Sequence, residues 1–343
     1  MSSLRGALAS VALAVLAAAA SGCSGCETSR HPPPGAEPEP VLVQAASSAA
    51  ASTSSAAPPV VVKPPPSSVP APARQLTWVY DQSPVGKMQV VVAVPEHRAE
   101  AGPLPVLIAM HGRGEAFKGP ARGARGWIDD YWLLRAIERL HAPPLTAKDF
   151  QGFADAERLT LINRSLSERP YRGLIVVCPY TPDILAGDRP FAAAEPLARF
   201  LVDELLPRVR RETPAAQTSA ATGVDGVSLG GRASLLVGLS RANAFGAVAA
   251  LQAAFDSADA AELARRAREA VAKNPKLSLR LLTSEDDYFL VANRNISKAF
   301  DDAGVKHELL EIPGPHDYEF NRGPGAIEML LFHDRVLRGE RAL

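Results

Sequence analysis

The sequence predicts an α/β fold, a mainly parallel sheet with helices on both faces. Three observations carry this. From residue 74 to the C-terminus, short apolar runs alternate with longer amphipathic stretches, the pattern of strands joined by crossover helices. Two runs, 104–110 and 173–179, are apolar almost throughout, as strands covered on both faces are. Gly226-x-Ser228-x-Gly230 then sits between a short strand candidate, 220–224, and an apolar helix candidate, 232–239. Such a pattern places a serine at the tip of a tight strand-to-helix turn, with glycines that let strand and helix approach closely.

The segment ahead of this fold has a different composition. Residues 1–22 carry Arg5 and then a stretch of Ala, Val and Leu up to Ala20. That is too short for an ordinary membrane span and has the flanks of a signal peptide. It ends Ala20-Ser21-Gly22-Cys23, which resembles the lipobox of bacterial lipoproteins. The resemblance implies that Cys23 is lipidated and that the protein is anchored in the bacterial cell envelope, on the outer membrane or facing the periplasm. Without lipidation the protein would be secreted. Residues 23–73 hold 12 of the chain's 30 prolines, mixed with Ala and Ser, and no aromatic residue precedes Trp78. A segment of this composition cannot bury enough surface to offset its ordering entropy and is expected to be a disordered tether. Residues 74–343 form the expected folded domain. Lys+Arg and Asp+Glu balance at 37 each, which argues against an electrostatic partner such as nucleic acid. Of three cysteines only Cys178 lies in the folded part, so no disulfide can form within it.

In order, 76–80 and 88–94 read as an antiparallel hairpin. Strand 104–110 runs into His111-Gly112-Arg113-Gly114. The connection 115–172 is long for neighbouring strands and holds an amphipathic stretch, 126–140, with Trp127, Tyr131 and Trp132. It reads as a cap or pocket wall, or as a helix packed on the sheet. Strand 173–179 closes in Pro179-Tyr180-Thr181-Pro182, which puts Tyr180 where it could line the site. Helix 195–211 has Leu197, Phe200, Leu201 and Leu205 on one face. After the elbow come strand 245–251, helix 258–273, strand 277–283, helix 291–303 ended by Gly304, strand 306–312 and helix 327–337.

A serine nucleophile needs a base and a third group that orients the base. Among seven histidines, His31 falls in the tether, and His97 and His141 sit beside turns with no acid-bearing loop implied nearby. His111 suits structure or the oxyanion loop. His307 falls on the polar side of a strand, and His333 on an exposed helix face. His316 remains, in Pro313-Gly314-Pro315-His316-Asp317 after the last strand, where α/β sheets assemble their sites. The acid is expected from Glu285-Asp286-Asp287, after strand 277–283, with Asp256 as the runner-up. The amide of Leu229, at the start of the helix after the elbow, is placed to hold an oxyanion. Metal readings from His111 with Glu115, or His316 with Asp317 and Glu319, lack a convincing ligand set. No metal or cofactor is called for.

The chain order Ser, Asp, His is that of the α/β-hydrolases. From about residue 104 on, the chain resembles that superfamily, and within it the group of esterase D, enterochelin esterases and feruloyl esterases. The matching pieces are His111-Gly112 after a buried strand, Gly226-Val227-Ser228-Leu229-Gly230-Gly231, Asp287-Tyr288-Phe289-Leu290 and Pro313-Gly314-Pro315-His316-Asp317. Pro315 stands where the group often has a second glycine. The resemblance implies the α/β-hydrolase fold, with Ser228, Asp287 and His316 as a triad. It selects Asp287 over Asp286 because the group's acid immediately precedes an x-Phe-Leu-like stretch. It also adds the Arg113 amide to the oxyanion site, over Gly112 or Gly114. The implied activity is hydrolysis of a small or polymeric ester. An acyltransferase or peptidase with the same triad stands as the alternative, as does a catalytically silent, lipid-anchored binding domain.

Overall fold

The computed structural model describes residues 73–96, 102–185 and 191–343. The leader, Cys23, nearly all of the tether, His31 and His97 lie outside the described residues. Among the described residues no helix is long and apolar enough to cross a membrane.

Eight strands form one sheet in the order β1-β2-β4-β3-β5-β6-β7-β8. They are β1 (Ala73–Tyr80), β2 (Met88–Pro95), β3 (Val106–Met110), β4 (Ile175–Pro179), β5 (Thr222–Gly226), β6 (Ala247–Leu251), β7 (Ser278–Asp286) and β8 (Glu308–Pro315). β1 pairs antiparallel with β2, and β2 antiparallel with β4; every pairing from β4 to β8 is parallel. This is the expected α/β architecture, a mainly parallel sheet opened by a hairpin.

The uniformly apolar strands are explained by a core on each side. Along β2, Val90, Val92 and Val94 join one core, while Val91 and Ala93 join the other. In β3, Val106, Ile108 and Met110 likewise separate from Leu107 and Ala109. This is the two-residue alternation of strand side chains with both faces apolar. Over the first face lie α5 (Glu195–Arg199), α6 (Leu206–Glu212), α7 (Leu229–Ser240), α8 (Ala260–Lys273) and α9 (Leu290–Asp302). Over the second lie α3 (Leu133–His141), α4 (Ala156–Glu168) and α11 (Ala326–Val336). Two short helices, α1 (Arg113–Ala116) and α2 (Gly119–Gly123), follow β3, and α10 (Tyr318–Phe320) follows β8.

Three of the differences from the sequence reading bear on the site. The elbow strand runs Thr222–Gly226, two residues later than 220–224, because Ser219–Ala221 coils into a tight turn. The stretch 126–140 is not one helix. It breaks at Trp132, whose φ of 54° lies in the left-handed region, and α3 begins at the next residue. The guanidinium groups of Arg322 and Arg135 stack on the Trp132 ring, at 4.6 and 5.1 Å from its centroid. β8 starts two residues later than expected but continues to Pro315, delivering the chain directly to His316.

Candidate active site

Ser228 follows β5 and immediately precedes α7, with φ 57° and ψ −114°. A non-glycine residue at positive φ is strained, and the surroundings hold it there. Its N–H donates to the Leu251 carbonyl at 2.9 Å, and its own carbonyl accepts from Ala254 N–H at 3.1 Å. The flanking glycines are demanded by space. A Cβ on Gly226 would lie 2.5 Å from the Gly230 carbonyl oxygen, and one on Gly230 would lie 2.2 Å from that of Met110. Strand, turn and helix can therefore be this close only with glycine at both positions.

His316 Nδ1 lies 2.7 Å from Asp287 Oδ1. With Nδ1–H donated to the carboxylate, Nε2 is the ring nitrogen left to act. Asp287 is itself fixed: Thr283 Oγ1 donates to Oδ2 at 2.6 Å and Phe289 N–H to Oδ1 at 3.0 Å. Tyr288 and Phe289 flank the imidazole at 5.3 and 5.4 Å between ring centroids. Behind the histidine loop, the side-chain amide of Gln252 donates to the Pro315 carbonyl at 2.9 Å and to Ser284 Oγ at 2.6 Å. The other acids considered are elsewhere. Asp286 is exposed and pairs with Pro315 at the end of the β7–β8 ladder. Asp256 is an exposed cap on the turn Ser257–Asp259.

The Arg113 and Leu229 amides head α1 and α7 and are not engaged in another hydrogen bond among the described residues. Gly112 N–H, by contrast, is taken by the Tyr131 hydroxyl at 3.2 Å. His111 is buried and supports this loop. Thr181 N–H donates to its Nε2 at 2.8 Å, so the ring proton sits on Nδ1 and is donated to the Gly112 carbonyl at 2.9 Å. Burial lowers the His111 pKa to about 4 against the opposing pull of its neighbours, so the ring is a neutral strut.

These parts meet in a cleft of about 190 Å3 lined by the Gly112–Glu115 loop, Tyr131, Val227, Ser228, His316, Asp317, Tyr318 and Asn321. Two expected wall residues are absent from it. Trp127 is 1% exposed and packs edge-on against Tyr131 in the core. Tyr180 turns its hydroxyl to the Ala116 carbonyl at 2.9 Å, behind the loop. Trp127 is expected from an amphipathic stretch and Tyr180 from its place at a strand end, and in this fold both rings are spent on packing. Tyr131 and Tyr318 occupy the wall instead. Tyr318 could have been found from its place two residues after His316, and Glu115 from following the oxyanion loop directly. Tyr131 lay in the stretch noted for its aromatics. His333, expected on an exposed face, is fully buried against Asp225. Among the described residues no cluster of His, Cys, Asp and Glu could hold a metal ion.

Comparison with known proteins gives three findings. A family model described as "Putative esterase" matches residues 190–322, a span that includes Ser228, Asp287 and His316. No curated protein matches. Solved structures share the fold at low identity. A ferulic acid esterase aligns with a TM-score of 0.56 at 17% identity, over 77% of this chain and 98% of that one. The S-formylglutathione hydrolase of Staphylococcus aureus aligns at 0.54 and 13%, over 76% and 99%. A ferulic acid esterase of Anaeromyces mucronatus, in complex with ferulic acid, aligns at 0.52 and 14%, over 77% and 91%.

Proposed function

We propose that this chain is a serine esterase that hydrolyses carboxylic esters through an acyl-enzyme. The observation that carries the reading is Ser228, strained at the elbow, sharing one cleft with a His316 already oriented by Asp287. The esterase family match over the same residues supports it. Ser228 Oγ attacks the ester carbonyl as His316 Nε2 takes its proton. Asp287 holds the ring and stabilises the imidazolium. The oxyanion of the tetrahedral intermediate lies between the Leu229 and Arg113 amides, each such donor being worth ~3–4 kcal/mol of barrier. The intermediate collapses, and the alcohol leaves with the proton returned by His316. Water, deprotonated by the same nitrogen, then releases the acid and regenerates Ser228.

A fluorophosphonate probe is expected to label the wild type at Ser228 and to leave Ser228→Ala unlabelled. Turnover of a short-chain aryl ester should fall on the order of 10³-fold or more in that variant. Near-wild-type turnover in a folded Ser228→Ala protein would end the assignment.

The reading extends to location. The leader and Cys23 support a lipid anchor in the cell envelope, with the Pro-rich segment as spacer. Cys23→Ser is expected to move the protein from the membrane fraction to the soluble fraction. Equal membrane association of both forms would reject lipidation.

A further inference from the structure

One buried carboxylate beside the cleft has no part in the mechanism above. Glu115 lies in the first turn of α1, 1% exposed. Its Oε2 accepts a hydrogen bond from the Tyr131 hydroxyl, and its Oε1 accepts from the Tyr318 hydroxyl at 2.6 Å. Lys118 Nζ approaches Oε1 at 3.5 Å. The packing beneath is close, since a Cβ on Gly126 would lie 2.7 Å from Glu115 Cγ. A buried carboxylate is costly unless donors surround it, and these donors come from separate parts of the chain.

Each tyrosine leads to one half of the proposed chemistry. The Tyr131 hydroxyl donates to Glu115 and accepts from Gly112 N–H. It therefore fixes the peptide just before the Arg113 amide. Tyr318 is two residues beyond His316 and opens α10. We propose that Glu115 is a positioning residue: through the Tyr131 and Tyr318 hydroxyls it locks the oxyanion loop and the histidine loop into one register around Ser228. This rests on the serine-esterase reading. The direction of the hydrogen bonds explains the choice of a carboxylate. Gly112 N–H must be accepted by Tyr131, so the Tyr131 proton must go to an acceptor, and so must that of Tyr318. Only a carboxylate offers an acceptor oxygen to each. Burial, reinforced by Glu115, pushes the Tyr318 phenol up to about 12 and the Tyr131 phenol also well upward, so both remain donors across the working range.

The test uses Tyr131→Phe, Tyr318→Phe, the double variant and Glu115→Gln, with an activated aryl acetate as substrate. A trifluoromethyl ketone, which adds to the serine and presents an oxyanion, is the second probe. Tyr131→Phe is expected to lower kcat by about ten- to a hundredfold, the scale of a small misplacement in an active site, with KM within about twofold. Affinity for the ketone should weaken by the same factor as kcat, which a purely structural contact would not produce. The double variant should lose less than the product of the two single losses, because both hydroxyls act through one carboxylate. If Glu115→Gln does not fold, the phenylalanine variants carry the test. Unchanged kcat, or a kcat loss without weaker ketone binding, would overturn the positioning role. Fluorophosphonate labelling separates the two readings. A labelled wild type with unaffected tyrosine variants removes only this inference, whereas an unlabelled wild type removes the esterase reading with it.

Discussion

Among the described residues, two close Asp–His pairs, His316–Asp287 and His333–Asp225, sit at this sheet, and of these two only the first faces solvent. His316 meets Asp287 beyond the carboxyl ends of β7 and β8, with its side chain 14% exposed beside Ser228. His333 meets Asp225 at 3.1 Å between β5 and α11, with its side chain fully enclosed. Asp225 of the second pair is three residues from Ser228 in sequence, yet its imidazole partner lies on α11, packed against Gly223 of β5. A Cβ on Gly223 would lie 2.4 Å from His333 Nδ1, so backbone fills the space a substrate would need. Among the described residues Nδ1 has no hydrogen-bond partner, and Nε2–H is committed to Asp225. The same two side chains thus make a candidate proton shuttle in one place and a structural tie in the other. What differs is access, and a serine within the same cleft.

Reciprocal substitutions would break or sharpen this contrast. His316→Leu is expected to abolish ester turnover, on the order of 10³-fold or more, with a smaller change in stability, because the buried Asp287 carboxylate keeps its hydrogen bonds from Thr283 and Phe289. His333→Leu should do the reverse. Removing the imidazole leaves the buried Asp225 carboxylate with only the Gly226 N–H bond at 2.7 Å and costs about 1–3 kcal/mol of stability, while turnover per folded molecule stays within about twofold. Denaturant melts and active-site titration of both variants read this directly. A His333→Leu protein that folds normally but does not turn over would make the buried pair part of the chemistry. The next effect concerns the acid. Asp287→Asn is expected to cost about 10²–10⁴ in turnover, since the amide no longer supports the required tautomer and charge of His316. Asp286→Asn, exposed and without contact to the ring, should cost less than about tenfold. The opposite ranking would move the acid by one residue.

The contrast also shows what was legible in the sequence. The elbow could be read because its determinants are local: a strand, two glycines forced by close contact, and a helix. His316 could be read from its place after the last strand. Asp287 over Asp286 came from a family resemblance, since neighbouring carboxylates cannot be ranked by composition; the structure turns one inward and leaves the other in solvent. His333 was misread because its side-chain type suggests solvent. Yet α11 is buried from Ala326 to Arg335, and its charged residues are matched by partners far away in the chain. Arg158, for example, reaches Glu328 at 2.6 Å. The Glu115–Tyr131–Tyr318 cluster was missed for the same reason. Its members are separated by up to 203 positions and meet only when β3 and β8 lie in their final order in the sheet. Local chemistry was readable, and long-range pairing of polar groups was not.

The smallest predicted effect tests the buried pair by pH. Burial lowers the His333 pKa, and the attraction of Asp225 offsets only part of that. His111 is lowered to about 4 for the same first reason. An unfolded histidine titrates near 6.5, so between the two values the unfolded chain binds protons that the folded chain refuses. Stability from these groups is complete above about pH 6.5 and declines as the pH falls, with the His111 contribution lost by about pH 4. Each such histidine contributes a slope of at most about 1.4 kcal/mol per pH unit. Urea melts at intervals from pH 7.5 to 5 should therefore show the wild type weakening on acidification. His333→Leu should weaken less steeply over the same range, because one of the refusing histidines is gone. Parallel slopes for the two proteins would mean that His333 is charged in the folded state, and that the sealed pair is an ion pair rather than a neutral imidazole donating to a carboxylate.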